Sequence, residues 1–160
     1  MNNFAEFINH NVAFTNKRFF DLFMLINEQA DIVYKDIGIK FPVVASSTVL
    51  YLAKSKQGSL TEIAKGLGMS HQLISQRVKI LLNLELITKH PAPNDKRKTI
   101  YTLTEKGEEQ SKLLLDYCVG AEKAFNNLSE TVGVDLLATI NKAIVALHDT
   151  SFAERYDSQN

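Results

Sequence analysis

The sequence predicts a mainly α chain with a small β wing, and three features carry that prediction. Two short helical patterns meet at a Gly-containing turn between Ser59 and Leu81. Two strand-like runs, residues 86–90 and 99–103, flank a turn-forming basic tip that reads Pro91-Ala92-Pro93-Asn94-Asp95-Lys96-Arg97-Lys98. Stretches with apolar residues at helical spacing occupy both ends of the chain, at about 3–34 and 104–148.

Residues 3–34 contain no Pro or Gly and are expected to form one long amphipathic helix. Phe4, Phe7, Ile8, Phe14, Phe19, Leu22, Phe23, Ile26, Ala30 and Val33 supply its apolar side. Six of the nine phenylalanines fall within the first 23 residues. So aromatic a face must be buried, and a second copy of the chain is the natural cover for its far end. Phenylalanines at helical spacing are ordinarily core or subunit contacts, and a ligand box is the rarer reading. Gly38 and Pro42 break the pattern, with Phe41-Pro42 in an extended joint. A second helix is expected from about Val43 to Lys54, with Val44, Thr48, Leu50, Tyr51 and Leu52 available to the core.

Ser59 with Glu62 three residues on forms a capping-box pattern at the next helix start. Ile63 and Leu67 share a face, Ala64 is small where a second helix crosses, and Gly68 stands where the chain leaves in a left-handed turn. Ser70 then caps a helix whose inward stripe is Ile74, Val78 and Leu81. The outer face keeps His71, Gln72, Ser75, Gln76 and Lys79, side chains suited to base edges and phosphates. Two helices at a tight turn followed by a basic two-stranded ribbon make a winged helix-turn-helix. Thr104, Glu105 and Gly107 open another long helix, to about Ser129, with Leu113, Leu114, Tyr117, Ala121, Ala124, Phe125 and Leu128 on its apolar side. A last helix runs from Val134 to His148, and the tail from Ser151 is expected to fray.

Several of these pieces occur in order at the spacing of one family. Leu81 ends the second short helix, Leu86-Ile87 opens the first strand, Asp95-Lys96-Arg97 forms the tip, and Leu103-Thr104-Glu105-Lys106-Gly107 follows. Over about residues 43–110 the chain resembles the MarR family of bacterial winged helix-turn-helix transcriptional regulators. It departs at Glu85, where that family usually has Gly, and at Gln76, where it often has Arg; Arg77 or Lys79 are the available replacements. The resemblance implies a single domain over 1–160, with a winged helix DNA-binding region at 43–107 and a helical dimerisation region at 1–36 and 108–150. It implies a homodimeric, ligand-responsive repressor on a near-palindromic operator. Ser70, His71, Gln72, Ser75 and Gln76 would then meet bases or phosphates, Arg77, Lys79 and Lys98 phosphates, and Arg97 the minor groove, with Asp95 bracing it. An intramolecular ion pair of Arg77 with Glu62 or Glu85 is the competing reading for that arginine. A small aromatic or anionic effector would sit near His10, Phe14, Arg18, Phe23, Tyr34, Phe41 and Tyr51.

Charge distribution agrees with that reading. Formal net charge is zero, yet residues 54–106 hold ten Lys and Arg against four Asp and Glu, so the flanks are acidic by the same amount. The one cysteine, Cys118, excludes an intrachain disulfide and a four-thiolate metal site, which fits a reducing cytoplasm; its apolar neighbours suggest a buried thiol rather than a sensor. The start, Met1-Asn2-Asn3-Phe4-Ala5-Glu6, is not a secretory signal, and no apolar run approaches a membrane span. No cofactor motif, catalytic signature or His/Cys/carboxylate cluster stands out, so no enzymatic activity is expected. Two other functions stay open: a regulator working through protein contacts as an activator or anti-repressor, and a small-molecule-binding protein with a vestigial winged helix.

Overall fold

The computed structural model describes residues 3–158. Met1 and Asn2, the beginning of the stretch read as no leader, and Gln159 and Asn160, the end of the tail, lie outside the described residues. The chain divides into two compact units, residues 1–115 and 116–160.

In the first unit, the single helix expected over 3–34 is two helices, α1 (Asn3–His10) and α2 (Thr15–Ile37), joined by a 3₁₀ turn over Val12–Phe14. Asn11 makes the break. Its backbone is extended (φ −91°, ψ 119°) and its side chain accepts a hydrogen bond from the Ala13 N–H at 2.9 Å. A short amide side chain that captures nearby backbone donors competes with the helix ladder, so neither Pro nor Gly was needed. α2 ends at Gly38, in the left-handed region at φ 86°, where the Gly38 and Ile39 N–H groups reach the carbonyls of Lys35 and Tyr34.

α3 (Ser46–Ser55) follows a 3₁₀ turn over Val43–Ala45. The turn buries Ala45 and the helix buries Thr48, Val49 and Leu52, so Val49 replaces Val44, which is 38% exposed, in the expected core set. α4 (Leu60–Leu67) and α5 (His71–Asn83) start where their caps predict. Ser59 and Glu62 close the capping box, with the Ser59 N–H and hydroxyl each 2.8 Å from Glu62 Oε2, and Ser70 Oγ accepts from the Leu73 N–H. Ile63, Ile74, Val78 and Leu81 are buried, each fully buried aliphatic contributing about 1.5–3 kcal/mol.

The wing is an antiparallel pair, β1 (Ile87–Ala92) and β2 (Asp95–Leu103), in register from Ile87 opposite Leu103 to Pro91 opposite Thr99. The expected turn of eight residues shrinks to Pro93-Asn94, because Ala92 pairs with Asp95. The register shifts between those pairs, so β2 carries residues 96–98 opposite a single step of β1. Pro91 has no N–H to give a ladder, and a bulge there aims its residues away from the partner strand. Gly58 adds a one-residue bridge to Tyr101, through two backbone bonds of 3.1 and 2.9 Å.

α6 (Glu105–Val132) is entered through Thr104, whose Oγ1 accepts from the Gly107 N–H and donates to the Glu85 carbonyl. Gly107 is required there: an added Cβ would overlap the Leu86 carbonyl oxygen. Further along, Gln110 Oε1 accepts from the Lys40 N–H at 2.6 Å and its Nε2 donates to the Gly38 carbonyl at 3.1 Å, tying α6 to the joint after α2.

The second unit holds the rest of α6, α7 (Leu136–Asp149) and α8 (Phe152–Asp157). The tail expected to fray is helical because Ser151 and Glu154 form another capping box. Gly133, at φ 73°, closes α6 rather than opening α7, which is capped by Asp135. α7 buries no residue: Leu137, Ile140, Ile144, Val145 and Leu147 are all exposed. Cys118 is half-buried, not enclosed as its neighbours suggested. No single helix among the described residues is long and apolar enough to cross a membrane.

Candidate nucleic-acid interface

α5 presents most of the predicted contact residues on one open side. His71, Gln72, Ser75, Gln76 and Lys79 are exposed, and so is Ser70 at the cap. The Ser70 hydroxyl is already engaged with the Leu73 N–H, so its first role is to start the helix. α5 thereby opens on His71 with its N-terminal backbone donors close to the exposed polar side chains, the end of a helix that attracts anions.

The wing supplies a second cationic element. The Arg97 side chain is 93% exposed, and its Nε lies 3.3 Å from Asp95 Oδ1. The same oxygen accepts from the Arg97 backbone N–H at 3.0 Å. Asp95 therefore closes a local turn and orients the guanidinium at once. So exposed a pair adds little to stability; its consequence is orientation. Lys98 is exposed nearby on β2. Its charge helps to hold the Glu62 carboxyl below the usual glutamate range, after the larger effects of the Ser59 N–H and hydroxyl.

Arg77 is placed differently from the expectation. Its Nη1 donates to Ser47 Oγ on α3 at 3.0 Å and lies 2.7 Å from Met69 Sδ in the turn between α4 and α5. Burial lowers its pKa, and a guanidinium remains charged regardless. Neither carboxylate proposed as its partner takes that role: Glu62 is occupied by Ser59, and the contacts of Arg77 are a hydroxyl and a thioether.

Two residues that matter to this surface escaped the sequence reading. Ser47 anchors Arg77, which no local pattern reveals. Leu73 is 46% exposed on α5; its offset from the Ile74–Val78–Leu81 stripe was the available signal. Glu85, the departure from the family's usual Gly, does sit in the left-handed region at φ 59°.

The residues expected near an effector do not share one environment. His10, Phe14, Arg18 and Phe23 are exposed on α1, α2 and the turn between them, with Arg18 paired to Asp21 at 3.0 Å. Tyr34 and Phe41 are buried against each other edge to face, 5.9 Å between centroids, and the Tyr34 hydroxyl is 2.7 Å from Ser46 Oγ. Tyr51 packs its ring where a Cβ on Gly58 or Gly66 would lie. Tyr34 and Phe41 thus belong to the core of the first unit, and Tyr51 is half-buried.

A helix-turn-helix with a paired, bulged wing and an exposed polar second helix defines a winged helix-turn-helix protein. Residues 38–98 match the model of the MarR family, the family that the motifs in the sequence resemble. The chain is similar to the heme sensor protein PefR from Streptococcus agalactiae, solved in complex with heme, at 17% identity and a TM-score of 0.58 over 86% of this chain and 95% of that one. It is equally similar to the adhesin competence repressor AdcR from Streptococcus pyogenes, at 17% identity and a TM-score of 0.58 over 84% and 95%. A variant of ZitR from Lactococcus lactis aligns at 21% identity and a TM-score of 0.52 over 68% and 75%. At such identities these likenesses speak for the shared fold. No curated protein matches the chain.

Proposed function

We propose that this chain is a sequence-specific DNA-binding transcriptional regulator, acting as a homodimeric, ligand-responsive repressor on a near-palindromic operator. The observation that carries the proposal is the pairing, within one compact unit, of the exposed polar face of α5 with the exposed, Asp95-oriented Arg97 of the wing. α5 enters a major groove, with His71, Gln72, Ser75 and Gln76 toward base edges and Lys79 and Lys98 toward phosphates; Arg97 enters the flanking minor groove.

The homodimer is supported by apolar surface that the single chain leaves open. Phe4 (73% exposed), Phe19 (63%) and Leu137 (70%) are examples from α1, α2 and α7. Patches of this kind mark association surfaces. A twofold dimer repeats α5 on DNA about one helical turn away. The reading places the chain in the cytoplasm with its DNA. Its effector, a small aromatic or anionic molecule, falls to His10, Phe14, Arg18 and Phe23, since Tyr34, Phe41 and Tyr51 are engaged in packing.

Fluorescence anisotropy tests the proposal, using the duplex upstream of the chain's own gene, a scrambled duplex, and an Arg97→Ala variant at several salt concentrations. Selective binding that weakens steeply with salt, and further in the variant, is expected. Equal weak binding to both duplexes, repeated across a selection from genomic DNA, removes the function and leaves the fold intact. Regulation that survives Arg97→Ala favours a regulator working through protein contacts.

A further inference from the structure

The orientation of Arg77 changes what α5 can read. From His71 to Lys79 the exposed side chains are His71, Gln72, Leu73, Ser75, Gln76 and Lys79. Gln72 and Gln76 are four residues apart and stack on one face, and Leu73 adjoins Gln76 at a spacing of three. A glutamine amide carries an acceptor and donors side by side, matching the N6–H donor and N7 acceptor that adenine shows in the major groove. An exposed aliphatic tip has one apolar counterpart there, the methyl group of thymine. Guanine is read chiefly by Arg or Lys. Arg77 is held against Ser47 and Met69 instead, and Lys79 lies more than two turns from the helix N-terminus, the end that reaches base edges.

We infer that α5 reads A·T base pairs, with Gln72 and Gln76 on adenine edges and Leu73 on a thymine methyl. This rests on the DNA-binding function proposed above and gives it a base preference. The half-site core is A·T, and specificity there comes from neutral amides and one aliphatic side chain, while cations at Lys79, Lys98 and Arg97 hold the backbone and minor groove.

A selection by the full-length chain from a random duplex library gives the preferred half-site. Anisotropy then compares that duplex with copies carrying 7-deaza-2′-deoxyadenosine for dA, or 2′-deoxyuridine for dT, at single core positions. The expected results are an A·T core, a loss of about tenfold at one or two adenines on removal of N7, and a smaller loss on removal of one thymine methyl. Gln76→Ala should abolish the sensitivity to 7-deazaadenine at its position, and Gln76→Arg should move the selected base there to guanine. A G·C core overturns the inference while leaving DNA binding in place. So does an A·T core indifferent to both analogues, which means readout by groove shape. No enrichment of any sequence overturns the DNA-binding function and this inference with it. The analogues leave the protein unaltered, so a folding defect cannot imitate these results.

Discussion

Arg77 sits on the helix proposed to read DNA but donates to Ser47 on α3 and to Met69 in the turn. That makes it a positioning residue, and Arg77→Met separates this role from a phosphate contact. Methionine keeps the length and apolar stem while removing charge and donors. The bond to Ser47 is worth about 1 kcal/mol net and the contact with sulfur less; with the side chain only partly buried, the sum is about 1–2 kcal/mol of stability. Urea unfolding measures it, and a double-mutant cycle with Ser47→Ala should return a coupling of about 0.5–1 kcal/mol. Affinity for the operator should fall with an unchanged dependence of log K on log salt, because no phosphate contact is lost. Lys79→Met is the control: its salt slope should drop by about 0.9 and its stability should stay within about 0.5 kcal/mol. The reasoning is refuted if Arg77→Met shows the drop in slope and no loss of stability.

Three other outcomes follow from the same unit. Gly107→Ala should destabilise it by about 3 kcal/mol or more in urea, since the methyl group would displace the Leu86 carbonyl that also accepts from the Thr104 N–H at 3.0 Å; a cost under about 1 kcal/mol would mean that α6 shifts freely. Glu85→Gly should raise the urea midpoint slightly, as relief of a left-handed residue worth about 1–2 kcal/mol is partly offset by the freedom of glycine in the unfolded chain at about 0.5–1 kcal/mol; a loss of stability would show that its side chain has a further role. Glu62 has its pKa lowered by Ser59, so its contribution is fully present above the ordinary value of 4.5 and is lost as pH falls through the lower folded value. Glu62→Gln should therefore narrow the gap to the parent protein across that acid window in thermal melts, and a gap that is constant with pH would contradict the capping box as its source.

Elements whose causes are local were legible without the structure. Ser59 with Glu62, Ser70 and Gly68 fix both ends of α4 and the start of α5 through contacts spanning at most five residues, and the stripe of Ile74, Val78 and Leu81 follows from helical period alone. Leu-Thr-x-x-Gly at 103–107 marked the entry to α6, though only the structure shows why glycine stands there. The cap at Ser151 and Glu154 was just as local and went unread, so α8 was taken for a frayed tail. The break at Asn11 was harder, because an asparagine is compatible with a helix until its side chain finds the Ala13 N–H.

The sequence by itself determined the winged helix, its basic character and the polar side chains on the outside of α5, because periodicity, capping and charge act over a few residues. Tertiary structure decided which of those side chains are free to meet a partner. It turned Arg77 toward Ser47, thirty residues away, brought Gln110 to the Gly38–Lys40 joint, enclosed Tyr34 and Phe41, and packed Tyr51 against Gly58 and Gly66. A polar or aromatic side chain takes the partner that the fold brings within reach, and contacts across such separations leave no period in the sequence from which to read them.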